Sequence, residues 1–220
     1  MQLVVFDLDD TLYLERDYVR SGFTAVGNHL LEQYRVEDAG SLLWRNFEAG
    51  VRGNAFNVAA QQLGFSESLI PELVEVYRHH RPQIQLLGDA VTALTVAQAR
   101  AHTALVTDGY ALGQRRKIEA LGVEKYLETL VVTNEHGPGW PKPGVKAFQY
   151  LRERFGVAPD QCVYVGDNPK KDFRAPLALG WRTARIRREG GIYHEFALDE
   201  DDPTPQWDHF SAECVQYLLG

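Results

Sequence analysis

Five short apolar runs punctuate the chain: Leu3 to Phe6, Thr103 to Val106, Thr129 to Val132, Cys162 to Val165 and Thr183 to Ile186. None shows the strict apolar–polar alternation of a sheet with one wet face, so they read as parallel strands buried on both sides. Between them, apolar positions fall at helical intervals, as in Leu112, Ile118 and Leu121, or Val145, Phe148, Leu151 and Phe155. Gly122, Gly156 and Gly180 sit near the expected helix ends. Alternating strand and helix requires right-handed crossovers, which predicts an α/β core built on a doubly wound parallel sheet.

From residue 14 to residue 86 the rhythm changes. No strand pattern is present, and Val19, Phe23, Val26 and Leu30 share one helical face. Further helices are expected around Leu43 and Phe47, from Phe56 to Leu63, and from Leu69 to Tyr77. This stretch reads as an inserted α-helical cap over 14–86, with the core formed by 1–13 and 87–220, and Pro82 and Gly88 bracket the return. The acidic run Asp199 to Asp202, followed by Pro203 and Pro205, is expected to be a solvated loop leading to a short terminal helix that holds Val215 and Leu218.

Composition narrows the function classes. With 220 residues there is room for one catalytic domain and a modest insertion, and 45% hydrophobic with 24% charged residues is ordinary globular usage. Thirty acidic against 23 basic residues give a formal charge of -7, which argues against a nucleic-acid partner. Cys162 and Cys214 are too few for a disulfide framework, and the apolar start is broken at once by Asp7. A cytoplasmic protein without membrane association is therefore expected, as a monomer or homodimer.

Ligands of open parallel sheets bind beyond the carboxyl ends of the strands, so the residues that follow each apolar run carry the chemistry. The first run ends in Asp7-Leu8-Asp9-Asp10-Thr11 and the second in Thr107-Asp108-Gly109. Lys142 is expected to open the helix after the third run, and the fourth ends in Gly166-Asp167-Asn168, with Asp172 following at the start of another helix.

This set resembles the four motifs, in order, of the haloacid dehalogenase-like hydrolase superfamily, whose Rossmann-like core often carries a small helical cap. The resemblance implies that Asp7 attacks phosphorus and that Asp9 protonates the leaving oxygen and then deprotonates the hydrolytic water. Both carboxylates, two residues apart on an extended segment, are expected on one side of the chain. Lys142 would neutralise Asp7 and the phosphoryl oxygens. Thr107, through its hydroxyl, and Asp108 and Gly109, through backbone N–H groups, would bind those oxygens. Thr11, Gly166, Asn168 and Asp172 would support the site from behind, Asp172 by bracing metal-bound water or Lys142.

Crowded carboxylates need a compensating charge, because like charges ~4 Å apart repel by about 4 kcal/mol at an effective dielectric of 20. Mg2+ is the expected cofactor, held by the Asp7 and Asp167 carboxylates and the Asp9 carbonyl oxygen. His79 and His80 are adjacent, a spacing unsuited to one zinc ion.

Superfamily members acting on carbon–halogen bonds lack the second aspartate, so the presence of Asp9 favours phosphoryl chemistry on a small phosphorylated metabolite. A phosphomutase and a noncatalytic phosphate-binding protein are the rival readings. Substrate choice is expected to lie in the cap, with Arg45, Arg52 and Asn54 as candidates. The Gly- and Pro-rich stretch Gly137 to Pro141 is expected to stiffen the loop before Lys142, with Trp140 packing on the domain.

Overall fold

The computed structural model describes all 220 residues, Met1–Gly220. The chain divides into two compact units, one formed by Met1–Arg16 and Gln85–Gly220, the other by Asp17–Ile84.

The first unit is a six-stranded, wholly parallel sheet with helices on both sides. Its strands are β1 (Leu3–Phe6), β2 (His102–Thr107), β3 (Thr129–Val132), β4 (Cys162–Gly166), β5 (Arg182–Ile186) and β6 (Gln206–Trp207), in the order β3-β2-β1-β4-β5-β6. All four residues of β1 are fully buried, as a central strand covered on both faces must be. Alternate side chains serve the two faces. Leu3 and Val5 join Ala104, Val106 and Tyr164 in the cluster filled by Phe148 and Leu151 of a helix over Lys146–Phe155. Phe6 meets Phe210 edge-on, ring centroids 6.2 Å apart. Trp140 packs against the first cluster, as expected of it.

The order reverses between β1 and β4: from β1 the chain builds outward through β2 and β3, then returns to β4 and continues to β5 and β6. Such a switch point opens a crevice at the carboxyl ends of its two strands. Here Phe6 lies beside Val165, and the Asp7 N–H donates to the Val165 carbonyl at 2.8 Å. Residues just beyond β1 and β4 are therefore neighbours by construction.

Three expectations need correction. The helix after β3 begins at Lys146, so Lys142 lies in the loop before it and not at a helix start. Asp172 likewise precedes its helix, Arg174–Ala178, by two residues. The segment after the acidic run also contains β6, which extends the sheet through Arg185 N–H to the Pro205 carbonyl and Arg187 N–H to the Trp207 carbonyl. The terminal helix follows at Ala212–Leu219, capped by Ser211, whose hydroxyl accepts from the Cys214 N–H.

The second unit is all helical. It comprises most of α1 (Glu15–Tyr34), with α2 (Ala39–Glu48), α3 (Ala55–Leu63) and α4 (Ile70–His79). Val19, Phe23, Val26 and Leu30 of α1 pack with Leu43, Ala59 and Leu73. Phe23 is the hub, with ring contacts to Phe47, Phe56 and Tyr77. α1 and α2 touch through glycines: a Cβ on Gly27 would stand 2.6 Å from the Gly40 nitrogen, so any larger residue would force the helices apart. Arg45, Arg52 and Asn54 are exposed; Arg52 lies over the Phe47 ring, its guanidinium 3.7 Å from the centroid. No helix of either unit is long and apolar enough to cross a membrane.

Candidate active site

Asp7 leaves β1 with 5% of its surface exposed and meets a lysine from far along the chain. The Lys142 ammonium donates to Asp7 Oδ1 at 2.6 Å and to the Tyr164 hydroxyl at 2.7 Å, and it stands 2.7 Å from Asp172 Oδ1. Three partners match its three protons. Asp172, fully buried, takes the N–H groups of Asp167 (3.1 Å) and Asn168 (2.8 Å) on Oδ2. One carboxylate thus braces both the lysine and the loop after β4. Gly166 makes room for it: a Cβ there would lie 2.4 Å from Asp172 Oδ2.

Asp7, Asp167 and Asp172 bring carboxylate oxygens within 4.8 Å of one another. Burial pushes the Asp7 carboxyl up; Lys142 opposes this, Asp172 adds to it, and the result is about 7. Asp167 is raised well above the usual carboxylate range by burial and by the charges of Asp172 and Asp7. Lys142 moves the other way: burial lowers it, but Asp172 and Asp7 outweigh burial and hold it firmly protonated. Three carboxyl groups share one lysine, and Asp7 and Asp167, buried and in negative company, hold their protons more tightly than ordinary carboxyls; with donors that are all oxygen, the cluster suits a hard divalent cation. Asp172 already spends its oxygens on Lys142 and two N–H groups, which leaves the Asp7 and Asp167 carboxylates as the better ligands.

Asp9, two residues beyond Asp7, takes a different set of partners. Lys117 Nζ donates to Asp9 Oδ1 at 2.7 Å, Gln114 Nε2 to Oδ2 at 2.9 Å, and the Tyr13 hydroxyl also donates to Oδ1. Burial raises the Asp9 carboxyl, but Lys117, Tyr13 and Gln114 together hold it below the ordinary value. Tyr13, pushed well up by burial and by Asp9, stays protonated and so remains a donor. Neighbouring Glu15 is raised to about 7, by burial first and by Asp9 next, against Lys117.

Thr107, at the end of β2, is 1% exposed, and its hydroxyl oxygen accepts from Gln114 Nε2 at 2.5 Å. Asp108 is tied down by its side chain, which accepts from the Thr133 hydroxyl at 2.6 Å and from the Lys142 N–H at 3.2 Å, with Lys171 Nζ 3.4 Å away. The Gly109 N–H points to Asn134 Oδ1 at 3.4 Å. Asn168 Oδ1 caps its own turn by accepting from the Lys170 N–H. Thr11 is buried, and its carbonyl accepts from Arg188 Nε (3.2 Å) and Nη2 (2.9 Å). Asp10 adopts φ 50°, and its carboxylate takes the Glu15 and Ile192 N–H groups, which folds the chain back after Asp9.

Several of these partners escape a reading of the sequence alone: Tyr13, Gln114, Lys117, Tyr164, Arg185 and Arg188. Arg185, 1% exposed on β5, donates through Nε to the Asp167 carbonyl at 3.0 Å. One signal was available. In the helix over Ala111–Leu121, positions 114, 117, 118 and 121 follow the i, i+3, i+4, i+7 stripe, so Gln114 and Lys117 sit on the face that Ile118 and Leu121 bury. Leu112, expected on that face, is 38% exposed.

A family model of haloacid dehalogenase-like hydrolases matches residues 1–180. A glyceraldehyde 3-phosphate phosphatase of Methanopyrus kandleri is 29% identical, over 94% of this chain and 92% of that one. The human N-acylneuraminate-9-phosphatase is 27% identical over 87% of this chain and 84% of its own. Among solved structures, a HAD-hydrolase from Bacillus subtilis bound to magnesium superposes with a TM-score of 0.67 at 17% identity, covering 100% of this chain and 98% of that one. That likeness is one of fold.

Proposed function

This chain belongs to the haloacid dehalogenase-like hydrolase family, and from that premise we propose that it is a magnesium-dependent phosphatase that cleaves a small phosphate monoester through an aspartyl-phosphate on Asp7. The observation that carries the reading is the meeting of Asp7, Lys142 and the Asp167–Asp172 pair at the switch point of the sheet, with Asp9 two residues beyond the nucleophile.

In the first half-reaction an Asp7 carboxylate oxygen forms a bond to phosphorus while the bond from phosphorus to the ester oxygen breaks. Asp9 is held ionised at rest by Lys117, Gln114 and Tyr13, so it takes up a proton from solvent before it delivers one to the departing alkoxide. In the second, water attacks the phosphorus of the aspartyl-phosphate and gives a proton to Asp9 while the bond from phosphorus to the Asp7 oxygen breaks, which frees the carboxylate and releases inorganic phosphate. Lys142, locked by Asp172 and Tyr164, orients Asp7 and offsets charge on the transferring group. Because Thr107 accepts from Gln114, its own proton is free to donate to a phosphoryl oxygen. Mg2+, held by the Asp7 and Asp167 carboxylates and the Asp9 carbonyl, would supply the positive charge that the cluster lacks.

The relatives carry names that refer to a triose phosphate and an acyl-sugar phosphate, which supports the class of small phosphorylated metabolites over any one member. The test is release of inorganic phosphate from a metabolite panel with Mg2+ and with chelator. Chelator-sensitive release that Asp7→Asn abolishes is the expected result. Equal release by the wild type and Asp7→Asn overturns the reading, and transfer to a second sugar without net release would make it a mutase.

A further inference from the structure

The helix over Ala111–Leu121 buries two polar side chains, Gln114 at 3% exposure and Lys117 at 4%, one helical turn apart. A buried lysine and a buried amide are costly unless they are satisfied, so their partners reveal what the positions are for. Lys117 grips Asp9 Oδ1 at 2.7 Å. Gln114 has two amide protons, and its nitrogen lies 2.9 Å from Asp9 Oδ2 and 2.5 Å from Thr107 Oγ. Both oxygens of Asp9 are therefore held from one rigid helix. The same amide fixes the hydroxyl at the end of β2 relative to the carboxylate at the end of β1.

We propose that Gln114 and Lys117 are positioning residues, a two-pronged clamp on one helix that aims the Asp9 carboxylate and the Thr107 hydroxyl at the same phosphate ester. The proposal rests on the phosphatase reading above, in which Asp9 serves the leaving oxygen. Each acts on the ester only through Asp9 or Thr107. A side chain that merely offset the burial of Asp9 would matter equally for every substrate. A clamp that aims an acid matters most where the leaving group needs a proton.

The experiment compares kcat/KM for an alkyl phosphate with that for 4-nitrophenyl phosphate, whose phenolate departs with little help, in wild type, Lys117→Met, Asp9→Asn, the Asp9→Asn/Lys117→Met double variant and Asp7→Asn. Lys117→Met is expected to lose about 10²-fold on the alkyl ester, in kcat more than in KM, and under about 5-fold on the aryl ester, with no more than about 2-fold further loss when added to Asp9→Asn. Equal losses on the two esters, or a full additional loss in the Asp9→Asn background, would overturn the clamp. Asp7→Asn separates the two readings: if it keeps wild-type activity, the aspartyl-phosphate chemistry fails, whereas an inactive Asp7→Asn beside a uniform Lys117→Met loss sinks the clamp alone. Should Lys117→Met fold poorly, Gln114→Leu applies the same test with the ion pair intact.

Discussion

Two lysine–aspartate pairs stand side by side at the rim of this sheet, nearly equal in length and opposite in effect. Lys142 is 2.6 Å from Asp7, and Lys117 is 2.7 Å from Asp9. Yet Asp7 is raised to about 7 while Asp9 is lowered. Contact distance does not explain the difference: burial raises both carboxyls, and what each lysine can offset depends on its company. Lys142 is shared with Asp172, whose charge itself raises Asp7, whereas Asp9 has a lysine reinforced by the neutral donors Gln114 and Tyr13. A carboxylate in negative company calls for a cation, and one in donor company is already at rest.

The comparison can be broken first at Asp7. Asp7→Asn should cut kcat/KM on the order of 10⁴-fold or more, because it removes the nucleophile, while the Lys117→Met loss stays near 10²-fold. Similar losses from both, measured as phosphate release, would mean that the two pairs do not have separate jobs.

The next largest effect is expected from Asp172→Asn. Breaking a buried, hydrogen-bonded ion pair should cost about 3 kcal/mol, read from denaturant unfolding. The same change gives Lys142 to Asp7 alone, so the Asp7 carboxyl should titrate at lower pH, seen by carboxyl-carbon NMR. An Asp7 titration that stays put would show that burial alone sets it.

Proton linkage spans both regions. Asp7 and Glu15 near 7 and Asp10 near 6 all lie above their ordinary values of 3.8, 4.5 and 3.8. The folded chain therefore binds more protons than the unfolded one between about pH 4 and pH 7, and stability in chelator should fall as pH rises through that window. At pH 8, Mg2+ at about a hundred times its Kd should restore about 2.7 kcal/mol, roughly 5–10 °C in Tm. A Tm that rises with pH in chelator, or that ignores Mg2+, would contradict this linkage. The smallest of these effects, about 2 kcal/mol, is expected of Gly166→Ala, whose methyl must displace the Asp172 carboxylate. Asp7 and Asp172 should feel it, and the Lys117–Asp9 pair should not.

Much of this was readable in advance. A strand buried on both faces must be a continuous apolar run, so the five longer strands announce themselves, and the carboxylates at their ends follow. β6 did not, because two residues, Gln206 and Trp207, are too few for any period to register. Tyr164 passed as one more apolar strand residue, although its hydroxyl meets Lys142. Lys142 itself was legible as a residue, but its place in a loop four positions ahead of the helix was not.

What the order of residues determined by itself is the alternation of strands and helices, the helical insertion, and the acidic residues that gather where β1 and β4 end. Tertiary structure decided which lysine each aspartate meets. Lys142 and Asp7 are 135 positions apart, Lys117 and Asp9 108, Arg188 and Thr11 177. Local periodicity reports only which side of an element faces inward. The partner waiting there is chosen by the crossover order and register of the sheet, which no short window of sequence contains.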